Sequence, residues 1–164
     1  MLKLDERDLK ILSILREEGR ISKADLARRV NLSAAPCWER LQRLEKAGII
    51  KGYHADVALK KLGAHIVVFM AAELEQHRAE DFQIFERAME RHDEIVACWA
   101  VGGGFDYILQ IVTRDIDSYQ RLVDDLLQAR VGLARYFTYV VTKPVKQSAR
   151  LPLDLIAKGG SPKE

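Results

Sequence analysis

Three absences bound this chain before any motif is read. It has only two cysteines in 164 residues, Cys37 and Cys98, far apart and outside any CxxC pair. That excludes a disulfide framework and a paired-cysteine zinc site, and it fits reduced thiols in the cytoplasm. No stretch approaches the roughly 18 consecutive apolar residues of a membrane helix, so no membrane partner is expected. The first eight residues carry no apolar signal-peptide core. Charge of one sign is scarce too. The formal net charge is +2, which taken alone argues against a nucleic-acid partner. What is present is globular, with 48% hydrophobic, 30% charged and 7% aromatic residues, unlike a disordered or low-complexity chain. The length suits one ordinary domain or two small ones, enough to bury a core unaided.

Catalytic constellations are missing as well. His54, His65, His77 and His92 follow no ligand spacing such as HExxH, and no cysteine accompanies them. Neither a P-loop nor a GxSxG elbow occurs. Cys98 lies in an apolar run and is expected to be inert. Acidic clusters such as Asp93-Glu94 and Asp124-Asp125 fall at predicted helix ends and surfaces. The expectation is a protein that is not an enzyme and holds no cofactor and no metal.

The small net charge conceals a division. Residues 1–60 carry 13 Lys+Arg against 9 Asp+Glu, whereas residues 62–143 carry 8 against 13. The last stretch, 144–164, carries 4 against 2. A basic first third is joined to an acidic middle, and such asymmetry points to a nucleic-acid-binding module.

In the basic third, a first helix is expected from Asp5 to Glu18. Leu4, Ile11, Leu12 and Leu15 share one face, with Leu9 and Ile14 off it. Ser22-Lys23-Ala24-Asp25 resembles a capping box and opens a short second helix burying Leu26, Ala27 and Val30. Asn31-Leu32-Ser33 makes a turn. Ser33 caps a third helix, and Pro36 falls in its first turn, where a missing N–H does no harm. Cys37, Leu41 and Leu44 form the buried stripe of that helix, and Gly48 ends it. Two helices joined by a short turn, with an earlier helix packed on both, make the helix-turn-helix pattern. Its second helix enters the DNA major groove.

Rotation by about 100° per residue points Ala35, Glu39, Gln42, Arg43 and Lys46 away from the stripe, with Trp38 and Arg40 flanking it. Ser33, Ala34 and Ala35 form the helix tip, where short side chains permit close approach to bases. Gln42 suits adenine, Arg43 guanine or a phosphate, and Glu39 cytosine. Glu39 has a second reading as an i,i+4 partner of Arg43, and Trp38 a second reading as a packing residue. Arg28 and Arg29 end the second helix as candidate phosphate contacts, and Lys51 is another. Ile49–Ala55 reads as short extended structure around a turn, a small wing.

Residues 64–144 alternate strand-like and helix-like runs. Strands are expected over 64–74, 95–101, 106–112 and 134–142, and helices over 78–91 and 115–128. In the first helix Phe82, Phe85 and Met89 share a face. In the second Ile116, Tyr119, Val123 and Leu126 point inward. The order βαββαβ is the ferredoxin-like split pattern, so the fold class is α+β. Several strands are apolar on both faces, which implies that both sheet faces are covered. The two helices cover one face, so a second copy is expected on the other, as an obligate homodimer. Gly102-Gly103-Gly104 reads as a hairpin turn; it leads into a strand rather than a helix, which speaks against a phosphate loop.

The runs Leu4-Asp5, Asp8, Ile11-Leu12, Gly19-Arg20-Ile21-Ser22, Leu26-Ala27, Leu32-Ser33, Cys37, Arg40, Leu44-Glu45, Gly48-Ile49-Ile50 and Gly52-Tyr53 resemble the leucine-responsive/asparagine-regulator (Lrp/AsnC) transcription factors. The resemblance extends to about residue 155 through Val101–Leu109, which looks like the family's effector loop, and Tyr139–Leu151. It implies a winged helix-turn-helix domain over 1–55 and a hinge over 56–63. A ferredoxin-like, RAM-type sensing and assembly domain follows over 64–144, then a tail over 145–164 that ends in disorder. The partners it implies are double-stranded DNA, an amino acid or related catabolite as effector, and other copies of the chain up to tetramers or octamers. Gly102, Gly103, Gly104, Asp106, Tyr107 and Thr138 become the candidate effector residues. Asp106 suits an α-ammonium group, or else caps a strand end. Gly102 stands where many relatives have Ser or Thr, and Gly104 where many have Asp or Glu, so the effector is held more by backbone N–H groups here, is a different one, or is absent. A sensing subunit without DNA binding is the competing reading; the basic third helix argues against it.

Overall fold

The computed structural model describes residues 2–146 together with Leu153 and Ile156. The remainder of the expected 145–164 tail lies outside the described residues. Two compact units divide between Val57 and Ala58.

The first unit contains three helices. Helix α1 spans Glu6–Glu17, α2 spans Lys23–Arg29 and α3 spans Ala34–Lys46. Asp5 caps α1 by accepting from Asp8 N, and the Asp8 side chain accepts in return from Asp5 N. Ser22 caps α2 through Asp25 N, but the Asp25 carboxylate takes the Ser22 hydroxyl at 2.7 Å instead of closing a reciprocal box. Asn31, at φ 54, turns the chain between α2 and α3, a conformation asparagine tolerates better than most residues. Gly48, at φ +68, ends α3 with Ile49 N donating to Leu44 O at 3.0 Å. A left-handed residue here releases the chain from the helix, which favours glycine.

The core of this unit is Ile11, Ile14, Leu26, Ala27, Val30, Cys37, Leu41 and Leu44. One expectation is corrected: Ile14 is buried, while Leu12 and Leu15 are only half-buried. The buried arc of α1 is turned toward Asp8, Ile11 and Ile14, because Asp8 is drawn inward by partners on α3. Residues 49–55 form no strand. Ile50 packs on the core, and Tyr53 donates to Glu45 at 2.8 Å. Burial and the neighbouring carboxylate push the Tyr53 phenol up to about 12.

The second unit opens with a 3₁₀ turn over Leu59–Lys61, inside the stretch read as a hinge. Strand β1 spans Ile66–Leu74, helix α4 Ala79–Met89 and strand β2 Ile95–Ala100. Strand β3 spans Tyr107–Thr113, helix α5 Ile116–Gln128 and strand β4 Leu133–Val140. The sheet is antiparallel in the order β2-β3-β1-β4, the ferredoxin-like arrangement expected from the βαββαβ order.

Alternation sorts the strands into two faces. Val68, Met70, Ala72, Leu74, Tyr107, Leu109 and Ile111 pack under Phe85 and Met89 of α4 and Tyr119, Leu122, Val123 and Leu126 of α5. Phe85 is the largest fully buried side chain, and such burial contributes about 1.5–3 kcal/mol. Leu122 takes the inward place expected of Ile116, which is exposed at the first position of α5. The other face carries Phe69 and Ala71 of β1, Ile108 and Gln110 of β3, Trp99 of β2, and Phe137 and Tyr139 of β4. Among the described residues no helix of this unit covers it. Trp99 is 47% exposed and Tyr139 55%.

Candidate functional sites on the third helix and the glycine loop

Helix α3 follows the sequence closely on its outer side. Ser33 is its N-cap, yet the hydroxyl makes no cap bond. Ala34, Ala35, Glu39 and Lys46 are exposed, and Gln42 is half-exposed among them. Arg28 and Arg29 lie exposed in the last turn of α2, the first paired with Asp25 and the second with Glu18, each at 2.6 Å. Lys51 is exposed beyond α3.

Arg40 and Arg43 behave differently from expectation. Arg43 Nη2 donates to Asp8 Oδ2 at 2.6 Å, so it turns back to α1 rather than to Glu39. Arg40 Nη1 donates to Asp8 Oδ1 at 2.8 Å and to Asp5 Oδ2 at 2.6 Å. Asp8 is 0% exposed. A buried carboxylate needs cations and N–H donors around it, and residues three apart on a helix lie on one side. Arg40 and Arg43 meet both requirements. The Asp5 carboxyl is held below its usual range, first by the Asp8 N–H and also by Arg40. Sequence reasoning gave Asp8 no role of its own, because its partners lie 32 and 35 residues further along the chain. The available signal was the Asp-x-x-Asp capping spacing together with Arg-x-x-Arg on the third helix.

Trp38 takes its packing position. It is half-buried against the core, and Lys23 Nζ stands 3.4 Å from its ring centroid. Such a cation–π contact ties the start of α2 to α3.

The glycine loop joins β2 to β3. Gly103 has φ +148, which a side chain would strain, whereas a Cβ on Gly102 or Gly104 would meet open space. Asp106 closes the loop. Its N–H donates to Ala72 O at 3.0 Å, and its carbonyl accepts from Val101 N at 2.9 Å. Its carboxylate accepts from Leu74 N at 2.8 Å and lies 3.1 Å from His77 Nε2. The cap reading of Asp106 therefore describes Oδ2, while an exposed imidazole lies against both oxygens, 3.1 Å from Oδ1 and 3.2 Å from Oδ2. His77 was not singled out from the sequence; its partner is 29 residues away, beyond any local pattern. Phe105 packs edge-on against Phe137 at 5.4 Å, and Arg135 lies over the same ring while pairing with Glu73.

Tyr107 and Thr138 lie on the helix-covered side. Tyr107 is buried and donates to Glu86 at 2.8 Å. Burial and that carboxylate raise its phenol well above the usual range. The Thr138 hydroxyl shares a 2.6 Å hydrogen bond with Tyr119. Neither side chain is brought to the Asp106 carboxylate by a bond among the described residues. Tyr107 instead lines a cavity of about 350 Å³ with Glu86, Met89, Glu90, Ile95, Cys98 and Ala100. Burial pushes the Cys98 thiol up to about 11, which suppresses the reactive thiolate. No group of three or more His, Cys, Asp or Glu placed to hold a metal occurs among the described residues. No helix among them is long and apolar enough to cross a membrane.

Comparison with known proteins matches both units. Residues 4–51 match a winged helix-turn-helix DNA-binding model, and residues 67–151 match the Lrp/AsnC ligand binding domain. The chain is 49% identical to the transcriptional regulatory protein DoeX of Halomonas elongata, over 95% of this chain and 99% of that protein. It is 40% identical to the leucine-responsive regulatory protein of Escherichia coli, over 90% of each. A transcriptional regulator of Neisseria meningitidis, solved as a complex with L-Met, superposes with a TM-score of 0.87 at 31% identity. That match covers 93% of this chain and 99% of that one. With one unit matching the DNA-binding model, the other the ligand-binding model, and whole-length relatives that are regulators, this chain belongs to the Lrp/AsnC family of transcriptional regulators.

Proposed function

We propose that this regulator binds DNA as a homodimer or a higher assembly of dimers in the cytoplasm, and that an amino acid or related catabolite controls it through the Asp106 loop. The observation that carries the DNA side is the outer surface of α3. Ala35, Glu39 and Lys46 are exposed above a fully buried Cys37–Leu41–Leu44 stripe. Gln42 and Glu39 read base edges, and Ser33, Lys46, Lys51, Arg28 and Arg29 hold phosphates. Two such helices in a dimer require two half-sites one or more helical turns apart. The open sheet face supports the dimer: Phe69, Trp99, Ile108, Phe137 and Tyr139 form an apolar surface that a second copy would bury.

The effector reading rests on the Asp106 carboxylate. An α-ammonium group would displace His77, which is exposed and held by the Asp106 carboxylate and a ring contact with Phe82. The open space over Gly102 and Gly104 leaves backbone N–H groups for a carboxylate. The effector acts only by binding one assembly or DNA-binding state better than another. A thermal-shift screen of amino acids and their catabolites identifies the effector class, since a ligand of the native state raises the melting temperature. A screen with no stabilising compound counts against an effector of this class.

Asp106→Asn separates ligand from cap. The amide keeps an acceptor for Leu74 N–H and loses the negative charge. The expected result is unchanged DNA affinity and loss of calorimetric binding of the compound found by the screen. Binding with the wild-type enthalpy and affinity leaves Asp106 with its capping role alone.

A further inference from the structure

We infer that Asp8 is a positioning residue for DNA recognition: its buried carboxylate sets the rotation of α3 and restricts the pose in which Arg43 is presented to DNA. This rests on the reading of α3 as the helix that enters the groove.

Four features carry it. Asp8 is fully buried at the start of α1, and both its oxygens are used by α3, Oδ1 by Arg40 and Oδ2 by Arg43. The reciprocal capping with Asp5 locks the carboxylate from behind, because Asp5 N donates to Oδ2 at 3.1 Å. Asp5 then gives Arg40 a second acceptor, so the Arg40 guanidinium bridges two carboxylates. Finally, the Arg43 side chain is 44% exposed although one of its amino groups is committed to Asp8.

A guanidinium has five N–H donors in a rigid plane. Anchoring one amino group on a buried acceptor narrows the directions open to the others. The Arg43 donors not spent on Asp8 are therefore confined to a narrowed range of directions at the flank of the outer surface formed by Ala35, Glu39, Gln42 and Lys46. Arg40 has a different task. Its side chain is 24% exposed and doubly bonded, so it acts as a strut that fixes the roll of α3. Without the Asp8 charge, Arg43 is an unconstrained cation that any phosphate can hold. Sequence-independent binding then survives or strengthens, while discrimination between sequences falls.

The test starts by selecting from random duplex DNA the sequence that the full-length wild-type protein enriches. Affinities for that site and for unselected duplex are then measured for wild type, Asp8→Asn, Arg43→Gln and the double variant, over a range of salt. Melting temperature and oligomeric mass are recorded for each. The expected result for Asp8→Asn is a specificity ratio lower by about tenfold, the scale of one lost bidentate contact. Affinity for unselected DNA is expected to be unchanged or higher, with a steeper salt slope. Arg43→Gln lowers the ratio similarly with no steepening of the slope, and adding Asp8→Asn to it lowers the ratio no further. A purely structural role for Asp8 weakens both DNAs in proportion, and that result overturns the inference. So does an Arg43→Gln protein with the wild-type ratio, a measurement that stands even if Asp8→Asn does not fold. A wild-type protein that enriches no sequence overturns the regulator reading itself, and this inference with it.

Discussion

Phe69→Glu is expected to give a folded monomer whose affinity for a two-half-site DNA is lower by about 10²–10⁴-fold, the range that linking two weak binders supplies. Phe69 lies near the middle of the open sheet face, opposite Gln110 on β3 and Tyr139 on β4. In a monomer a glutamate there is solvated, and the helix-side core of Val68, Met70, Leu109 and Ile111 is untouched. In a sheet-to-sheet dimer the same carboxylate is forced into an apolar interface with its symmetry mate close by. Burying an unpaired charge costs several kcal/mol, enough to dissociate a dimer of micromolar affinity or weaker. The exposed cations on and just beyond α3 are few, Lys46 and Lys51 beside the paired Arg28 and Arg29 of α2, so one reading head alone is expected to bind weakly, and the loss of the dimer to remove most of the DNA affinity. Light scattering gives the mass, circular dichroism the fold, and fluorescence anisotropy the DNA affinity. A Phe69→Glu protein that remains a dimer at micromolar concentration would place the interface elsewhere.

The second large effect is that of salt. Specific DNA affinity is expected to fall by about 10⁴-fold between 50 and 200 mM monovalent salt, corresponding to about eight released counterions per dimer. Eight is about four phosphates per head, a number set by the side chains rather than by the net charge. Lys46 and Lys51 carry exposed cations near α3. Arg28 and Arg29 are paired, but with exposed carboxylates. Such surface pairs contribute only about 0–1 kcal/mol, less than the roughly 1.5–3 kcal/mol of a charge-assisted bond, so a phosphate takes them. Arg40 and Arg43 add little in the wild type because Asp8 holds them. Anisotropy titrations at four salt concentrations give the slope. A flat dependence would mean that the phosphates are not contacted by these cations.

These expectations show where the sequence was legible. The start of α1 at Asp5, the cap at Ser22, the turn before Ser33, the buried stripe of α3 and the stop at Gly48 all lie within a few residues of what they control. Propensity, capping and periodicity therefore placed the helices to within a residue or two. The same holds for the sheet, where apolar runs placed the strands and the βαββαβ order leads to the observed strand order. Errors occurred where a residue's environment was set by a distant one. Ile14 is buried because the face of α1 is turned by Asp8. Leu122 replaced Ile116 because the first position of α5 lies outside the packed stripe.

The candidate sites divide in the same way. The outer residues of α3 follow from helical rotation, so Ala35, Glu39, Gln42 and Lys46 were found from the sequence. The fate of Arg40 and Arg43 was not, since their partner Asp8 lies 32 and 35 residues earlier. Likewise Asp106 was visible as an acid after a glycine loop, but its bonds to Leu74 and His77 were not.

By itself, the sequence determined the elements, their order, the family and the basic outer face of α3, because each depends on local spacing or on residue identity. Only the tertiary structure decided which charges are free. A carboxylate and a guanidinium attract through space and not along the chain, and burial at one end of the pair commits the other. The net charge of +2 thus contains cations that face solvent and cations already held from within.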